Sequence, residues 1–294
     1  MQADYTDRYV AVDGLDIRYW DEGAGEPLIL IHGLAASLET WHLNVGELAR
    51  QRRVIALDLP GFGGSSRSAR RETYSAGYAD RFMRLFVGKL GLRRVSVAGN
   101  SMGGMVALRF ALSHPQMVDR LILVASAGLG REINWPNRLL SVWPLGELLF
   151  HPSRPLVELA VSSVIRRGEI DEEFVRRTRE YLAVPGTKEA ILHCLRSGVN
   201  LRGQFAVADR HELGRIEAPT LIVWGACDPV FPPAHAQAAA QAIPDARLVI
   251  LEDAGHAPHM DCPREFNECV LRFLGQAHAA AAAPRDRRRE CPWL

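Results

Sequence analysis

The sequence predicts an α/β fold with a doubly wound, mostly parallel sheet and an inserted helical cap. Three observations support this prediction. Short unbroken apolar runs, rather than alternating ones, indicate strands that are buried on both faces of a sheet. Helix-like segments separate several of these runs, which is the order expected when crossover helices join parallel strands. The alternation lapses between about residues 129 and 215, where the chain is helix-like without a clear strand.

Eight strands are predicted. Residues 9–12 and 15–20 form an opening hairpin, because Asp13-Gly14 between them is a strong two-residue turn signal. The other strands are short apolar runs that are rich in leucine or β-branched residues, and most end at Gly, Pro, Asp or Ser. They cover residues 28–31, 54–57, 95–98, 121–124, 221–224 and 248–251.

The predicted helices divide the chain into a core and a cap. Helices of the core cover residues 102–113, 233–242 and 263–274, the last of them beginning at a proline. Helix-like segments of the cap cover residues 133–150, 155–167, 171–182 and 187–198. We therefore expect a core of residues 1–128 and 216–276 and a cap of residues 129–215. Residues 277–294 have too little periodic apolar content to pack and are expected to form a flexible tail.

Composition excludes several classes of function. The chain has 294 residues, with 35 basic and 34 acidic side chains. This balance argues against nucleic acid or an anionic membrane as the main partner, because both require a basic surface. No apolar run approaches the roughly 18 residues of a membrane span, and the polar N-terminus lacks a signal-peptide core. The five cysteines are scattered without a C-x-x-C pair, which argues against disulfides or a zinc site and favours a reducing cytoplasm. The oligomeric state, monomer or dimer, stays open.

The strongest chemical signal is Gly99-Asn100-Ser101-Met102-Gly103, which lies between a predicted strand and a predicted helix. A G-x-S-x-G sequence in that context forms a nucleophile elbow, a turn so tight that bulky neighbours of the serine would clash. The elbow presents the serine at the carboxyl edge of the sheet. Ser101 is therefore the candidate nucleophile.

A serine hydroxyl needs a base, and the base needs a group that orients it. Asp228 and His256 each follow a late predicted strand, so both belong at the same sheet edge as Ser101. Asp253 is a rival for the acid, but it shares the loop of the histidine. His259 is a rival for the base, although it lies where the next helix approaches. We expect Asp228 and His256 to complete a catalytic triad.

Backbone N–H groups are expected to form an oxyanion hole. Met102 begins the helix after the elbow, and Leu34 follows the strand of residues 28–31, so their N–H groups are the two candidate donors. His32 is expected to be a buried, hydrogen-bonded side chain that shapes this loop. Asp58 is expected to shape a glycine-rich turn.

Taken together, these motifs resemble the α/β-hydrolase superfamily over almost the whole chain outside the cap and tail. The matching segments are IHGLAASLETW, VIALDLPGFGGSS, VAGNSMGGMVAL, LIVWGACDPVFP and AGHAPHMDCPREFNECVLRFL. The resemblance implies an α/β-hydrolase fold and a triad of Ser101, Asp228 and His256. It also implies a two-step acyl transfer that needs no metal and no organic cofactor.

Individual residues argue against some subfamilies of this superfamily and favour others. A serine at the elbow argues against haloalkane dehalogenases and epoxide hydrolases, which use an aspartate there, and the loop after His32 lacks the H-G-G-P-G of proline iminopeptidases. The elbow looks like that of meta-cleavage-product hydrolases, in which a cap arginine binds a dienoate; Arg177 is the matching position. Those enzymes usually carry a tryptophan after the catalytic histidine, whereas this chain has Ala257.

The cap is expected to place an apolar wall over the site, and Trp143 is a candidate substrate-binding residue within it. The residues concerned are Trp135, Leu139, Leu140, Val142, Trp143, Leu148, Leu149 and Phe150. An apolar wall favours a small-molecule substrate with a hydrophobic acyl or alcohol group. The sequence thus predicts a carboxylic-ester hydrolase, with a meta-cleavage-product-type C–C hydrolase of 2-hydroxy-6-keto-dienoates as the alternative. A non-catalytic ligand-binding protein of the same fold is a third possibility.

Overall fold

Eight strands form one sheet whose central strands are parallel, which confirms the predicted fold class. The computed structural model describes residues 5–167 and 172–276. Its strands are β1 (Arg8–Val12), β2 (Leu15–Gly23), β3 (Pro27–Ile31), β4 (Arg53–Leu57), β5 (Val95–Asn100), β6 (Val118–Val124), β7 (Val199–Asn200), β8 (Gly203–Gln204), β9 (Thr220–Gly225) and β10 (Ala246–Leu251). The sheet order is β1-β2-β4-β3-β5-β6-β9-β10. The pairs β1–β2 and β2–β4 are antiparallel, and all the others in this sheet are parallel.

Helices cover both faces of the sheet. They are α1 (His42–Leu48), α2 (Ala76–Lys89), α3 (Met102–Ser113), α4 (Trp135–Leu140), α5 (Leu145–Leu149), α6 (Arg154–Val164), α7 (Glu172–Ala183), α8 (Thr187–Arg196), α9 (Arg210–Leu213), α10 (Ala234–Ala242), α11 (Pro258–Asp261) and α12 (Pro263–Leu274). Because side chains alternate along a strand, Ile29 packs in one apolar cluster with α2, α3 and α10. Leu28 and Leu30 pack in the other cluster with α1 and α12.

All eight predicted strands are present, and so are the three predicted core helices, with shifts of a few residues at some ends. The turn of the opening hairpin has positive φ at both central residues, 51° at Asp13 and 80° at Gly14. This is the conformation that a two-residue hairpin with right-handed strand twist requires, and Asp-Gly adopts it readily. The predicted tail, residues 277–294, lies outside the described residues.

The segment between β6 and β9 contains α4 to α9 and the small β7–β8 hairpin; residues 129–215 are called the cap below. The prediction of one helix over residues 133–150 was wrong, because α4 ends at Leu140 and α5 begins at Leu145. Pro144 lies between them, and proline lacks the N–H that a continuous helix would need there. The β7–β8 hairpin was not predicted, since two-residue strands carry no periodic signal.

A buried ionic cluster joins the cap to the core. The Arg18 guanidinium lies 2.7 Å from the Glu39 carboxylate and 3.2 Å from that of Asp58. Tyr181 of α7 accepts a hydrogen bond from Arg18 and donates one to Glu39. Burial, together with the nearby Glu39 charge, raises the pKa of Asp58 to about 7. A buried charge needs a partner of opposite sign, and Arg18 supplies it to both carboxylates. The two hydrogen bonds of Tyr181 connect α7 to this cluster.

Candidate active site

Ser101 is held in a backbone conformation that few non-glycine residues adopt. Its φ is 54° and its ψ is −118°, between the end of β5 and the start of α3. The Ser101 N–H donates to the Val124 carbonyl on the neighbouring strand, which helps to hold the turn (2.9 Å). Strain of this kind persists only where surrounding structure imposes it, and it is frequent at functional sites. The G-x-S-x-G sequence therefore forms the tight strand-to-helix turn that its spacing predicts.

The glycines of the elbow leave no room for a side chain. A Cβ on Gly99 would collide with the Gly103 carbonyl, and a Cβ on Gly103 would collide with the carbonyl oxygens of Ile31 and His32. These neighbours are backbone atoms, which cannot rotate away as a side chain would. The close approach of α3 to the end of β3 thus depends on glycine at position 103.

Replacing Gly103 with alanine is expected to lower the free energy of unfolding by about 3 kcal/mol, the upper part of the usual range for overpacking. Urea-induced unfolding followed by circular dichroism would measure this loss. Gly88→Ala is the matched control, because a Cβ at Gly88 in α2 would meet nothing within 4 Å. That variant is expected to be slightly more stable than wild type. Equal stability of the two variants would contradict the packing argument.

His256 and Asp228 form a hydrogen-bonded pair at the carboxyl edge of the sheet. The His256 Nδ1 lies 2.9 Å from Asp228 Oδ2 and 3.1 Å from Oδ1. Since a carboxylate only accepts, Nδ1 carries the proton, and in the neutral ring the lone pair is on Nε2. Asp228 Oδ1 also accepts from the N–H groups of Val230 and Phe231, which orient the carboxylate. The pair can accept a proton at Nε2 and stabilise the resulting imidazolium.

Two residues that the sequence argument missed hold the histidine loop. The side-chain amide of Asn100 donates to the His256 carbonyl (3.1 Å). Asp261 accepts from the Gly255 N–H (2.7 Å) and from the N–H groups of Arg166 and Arg167, which follow α6. Asn100 had a sequence signal, namely its position directly before the elbow serine. Asp261 had none, because its partners are backbone N–H groups, and those of Arg166 and Arg167 belong to a distant part of the chain.

The N–H groups of Leu34 and Met102 donate to no acceptor within the described ranges 5–167 and 172–276. Met102 is the first residue of α3, where helix geometry leaves N–H groups without a partner. Leu34 lies in the turn after β3, and Ala35 beside it has a φ of 57°. Both residues line the same cavity as Ser101 and His256. Two residues whose N–H groups lack an acceptor thus line the cavity that contains Ser101.

The rival residues have other roles. His32 Nε2 accepts from the Leu59 N–H, its Nδ1 donates to the Gly33 carbonyl, and burial lowers its pKa to about 4. The expectation of a buried, loop-shaping histidine is confirmed. Asp58 accepts from the N–H groups of Leu38 and Gly64 and so shapes the glycine-rich turn, as expected.

The other two rivals, Asp253 and His259, have interactions that do not involve the Asp228–His256 pair. Asp253 is an exposed partner of Arg167 (2.9 Å) and is not the hydrogen-bond partner of His256. His259 is buried against Trp41 with 4.1 Å between ring centroids, and burial lowers its pKa to about 3.

Arg177 and Trp143 are not brought to the cavity. The Arg177 Nε donates to Glu173 one helical turn earlier, and its Nη1 lies 3.8 Å from buried Glu39. This pairing keeps the guanidinium away from the cavity wall. Trp143 is 74% exposed between α4 and α5, so it faces away from Ser101. Of the predicted apolar wall, Leu140, Leu149 and Phe150 line the cavity, whereas the other members do not.

The cavity at Ser101 has a volume of about 470 Å³, within the usual range for small-molecule sites. Its wall combines the core, through residues such as Met105 and Phe231, with the cap, through Val157 and Ile191. In the described part of the chain, no Asp, Glu, Lys or Arg side chain belongs to this wall. A neutral, mostly apolar cavity favours uncharged, hydrophobic ligands.

Among residues 5–167 and 172–276, no three His, Cys, Asp or Glu side chains are grouped so that they could hold a metal ion. Over the same residues, no helix combines the length and the apolar character that crossing a membrane requires.

The chain is similar to known hydrolases in sequence and in structure. The family model described as "alpha/beta hydrolase fold" matches residues 26–263. A pimeloyl-[acyl-carrier protein] methyl ester esterase from Aeromonas hydrophila is 30% identical, covering 86% of this chain and 97% of the esterase. A 2-hydroxy-6-oxo-6-(2'-aminophenyl)hexa-2,4-dienoic acid hydrolase from Metapseudomonas resinovorans is 29% identical, covering 92% of each chain. A solved serine hydrolase involved in carbazole degradation superimposes with a TM-score of 0.79 and 27% identity, covering 92% of this chain and 98% of the other.

Proposed function

This chain belongs to the alpha/beta hydrolase fold family, and on that premise we propose that it hydrolyses carboxylic esters of apolar or aromatic character through an acyl-enzyme on Ser101. The observation that carries this proposal is the neutral cavity wall around Ser101 and His256. An uncharged ester group fits such a wall, because burying an unpaired charge there would cost several kcal/mol.

The proposed reaction has two steps. His256 Nε2 takes the proton of the Ser101 hydroxyl while Oγ attacks the ester carbonyl, and the tetrahedral intermediate then expels the alcohol, which takes the proton back from His256. In the second step His256 removes a proton from water, the hydroxide attacks the acyl-enzyme, and Ser101 leaves with the proton. Asp228 stabilises the imidazolium during both steps, supported by its 2.9 Å contact with Nδ1.

The oxyanion hole in this proposal consists of the N–H groups of Leu34 and Met102. Both lack another acceptor among the described residues, so neither has to break a bond to bind the developing negative charge. Donors that are held in place before the reaction need no reorganisation, and each is worth about 3 kcal/mol in comparable enzymes.

We assign the cap, residues 129–215, as the part that shapes the substrate site, and the core, residues 1–128 and 216–276, as the part that carries the catalytic groups. The backbone N–H of His256 donates to the Val164 carbonyl at the end of α6 (3.1 Å), which connects the cap to the histidine loop. Substrate choice then depends on cap side chains such as Phe150 and Val157, which line the cavity.

Cleavage of a C–C bond in a 2-hydroxy-6-keto-dienoate is the alternative, and the relative from M. resinovorans favours it. A dienoate carries a carboxylate, which requires a cationic or strongly hydrogen-bonding partner when it is buried. Arg177, the expected partner, pairs with Glu173 and does not line the cavity. Ala257 also occupies the position after His256. These two observations support the ester over the dienoate.

The test compares p-nitrophenyl octanoate, p-nitrophenyl acetate and a 2-hydroxy-6-keto-dienoate as substrates of the wild-type protein. We expect kcat/KM to be at least about tenfold higher for octanoate than for acetate, because each buried CH₂ is worth up to ~0.8 kcal/mol. Arg177→Ala is expected to leave ester hydrolysis within about twofold, as for a surface residue. A preference for the dienoate that is lost in Arg177→Ala would instead establish C–C cleavage.

A further inference from the structure

The mouth of the cavity lies on the cap. Most residues that line the cavity are buried or half-buried and come from both the core and the cap. The lining residues that are exposed all belong to the segment from α4 to α6, and they are Pro136, Leu149, His151, Leu156, Ala160 and Ser163. The opening of the cavity to solvent therefore lies between these three helices, and we expect a substrate to reach Ser101 by this route.

The segment from α4 to α6 also carries large apolar side chains that are open to solvent. Trp135 is 63% exposed, Trp143 74%, Leu148 77% and Leu159 65%. Together with the less exposed leucines of the same helices they form what we call the cap face: Trp135, Leu139, Trp143, Leu148, Leu149, Leu156 and Leu159. Leu149 and Leu156 belong both to this face and to the cavity wall, so the two surfaces are continuous. Apolar surface of this kind marks an interaction site rather than an ordinary exterior.

Arginines border the cap face on the side of α4. The Arg138 guanidinium lies 5.0 Å from the centroid of the Trp135 ring. The β7–β8 hairpin, which carries Arg202, lies beside Arg131 because the backbone N–H of Gln204 donates to the Arg131 carbonyl (2.8 Å). Within the described residues, no acidic side chain lies within 4.0 Å of a nitrogen of the Arg131 or Arg202 side chain.

Among the acids of residues 129–163, Glu147 and Glu158 are paired with arginines, whereas Glu132 is paired with a histidine. Glu132 contacts His235, Glu147 contacts Arg196 and Glu158 contacts Arg154. Among the described residues, the border of the cap face therefore contains three guanidinium groups, those of Arg131, Arg138 and Arg202, and one carboxylate without an arginine partner, that of Glu132. Its net charge is positive, and guanidinium geometry matches phosphate oxygens. The near-zero net charge of the whole chain averages over the surface and does not describe this border.

We propose that the cap face docks on a phospholipid surface, with Trp143 and Leu148 among the acyl chains and Arg131 and Arg202 at the headgroup phosphates. Exposed tryptophan and leucine beside arginine are the side chains that favour the boundary between headgroups and acyl chains. The observation that supports docking is the exposed apolar surface of the cap face, which does not depend on the proposed function. One consequence rests on the proposed function: an apolar ester would then pass from the lipid through the mouth to Ser101.

A second copy of this chain is the alternative occupant of the cap face. In a symmetric dimer the same patch meets itself. Such a contact would cover the mouth of both cavities, and it would bury the arginine border of each copy against a cap face that offers, in the described part of the chain, no free carboxylate as its partner. A lipid surface has neither disadvantage, because it supplies phosphate groups and is itself the source of apolar substrates.

Tryptophan fluorescence can follow docking directly. In the described residues, Trp20, Trp41 and Trp224 are buried, whereas Trp135 and Trp143 belong to the cap face. The protein used is the full chain with Ser101→Ala, which prevents hydrolysis, and Trp293→Phe, which removes the tryptophan outside the described residues. Vesicles of phosphatidylcholine and phosphatidylglycerol with brominated acyl chains are expected to quench the emission and shift it to shorter wavelength.

The variant Leu148→Ser/Leu159→Ser in this background is expected to lower the vesicle partition coefficient at least about tenfold, since each exposed leucine contributes apolar contact. Leu43→Ser is the matched control, because Leu43 is an exposed leucine on α1 of the core; it should bind like the parent. Thermal unfolding of each variant would show that a loss of binding is not a loss of folding.

Absence of quenching at millimolar lipid, or equal binding by the double variant, would overturn the proposal. The proposal would also be overturned if the parent protein bound no vesicles but formed a dimer, detected by light scattering, and the double variant no longer formed that dimer. The binding assay uses a protein without the nucleophile, so its result does not depend on ester hydrolysis. Failure of the proposed function would appear separately, as a wild-type protein that binds vesicles and cleaves no ester.

Discussion

Ser101→Ala is expected to lower kcat for p-nitrophenyl octanoate by at least about 10⁴-fold, because removal of a serine nucleophile from a triad has effects of this size or larger. The loss should be in the chemical step, since alanine removes only the hydroxyl and leaves the cavity wall in place. Steady-state kinetics would measure it. Mass spectrometry of the wild-type protein with a slowly released ester should show the acyl group on the peptide that contains Ser101.

Ser163→Ala is the matched control for that experiment. Ser163 also lines the cavity, but it is an exposed cap residue whose hydroxyl donates to the Ala160 carbonyl. Its removal is expected to change kcat by less than about twofold, as for most surface substitutions. A Ser101→Ala protein that keeps activity within tenfold of Ser163→Ala would rule out the acyl-enzyme mechanism.

Asp228→Asn is expected to lower kcat by about 10⁴-fold, the effect of the same change in a well-studied triad. Asp228 Oδ1 accepts from the N–H groups of Val230 and Phe231, so an asparagine would keep its carbonyl oxygen there and turn its amide toward His256. The amide donates to Nδ1, which moves the histidine proton to Nε2. The ring could then no longer accept the proton of Ser101.

Asp253→Asn provides the comparison for Asp228→Asn. Asp253 lies in the histidine loop and was the rival for the acid, but its partner is Arg167 at the surface. We expect less than a twofold change in kcat, because exposed ion pairs contribute little. If Asp253→Asn lost more activity than Asp228→Asn, the assignment of the acid would have to be reversed.

Much of the fold could be predicted from local patterns, because strands and turns are encoded by residues that are close together in the sequence. The β-strands appeared as unbroken apolar runs, since a strand buried on both faces has no polar positions to interrupt it. The hairpin turn was readable at Asp13-Gly14, where two positive φ angles restrict the choice of residue. The cap was less predictable, because α4 and α5 are short helices interrupted by proline and differ little in pattern from one longer helix.

The elbow around Ser101 and the order of Asp228 and His256 could be predicted from the sequence alone, because a tight turn demands glycine and parallel strands end at one edge. Which cap residues face the cavity could not be predicted in this way. Arg177 is turned away by its pairing with Glu173, and Trp143 is exposed although it is as apolar as Phe150, which lines the cavity. Only the tertiary structure decided these positions, because the direction of a side chain on a short helix depends on the partners that packing and charge bring to it.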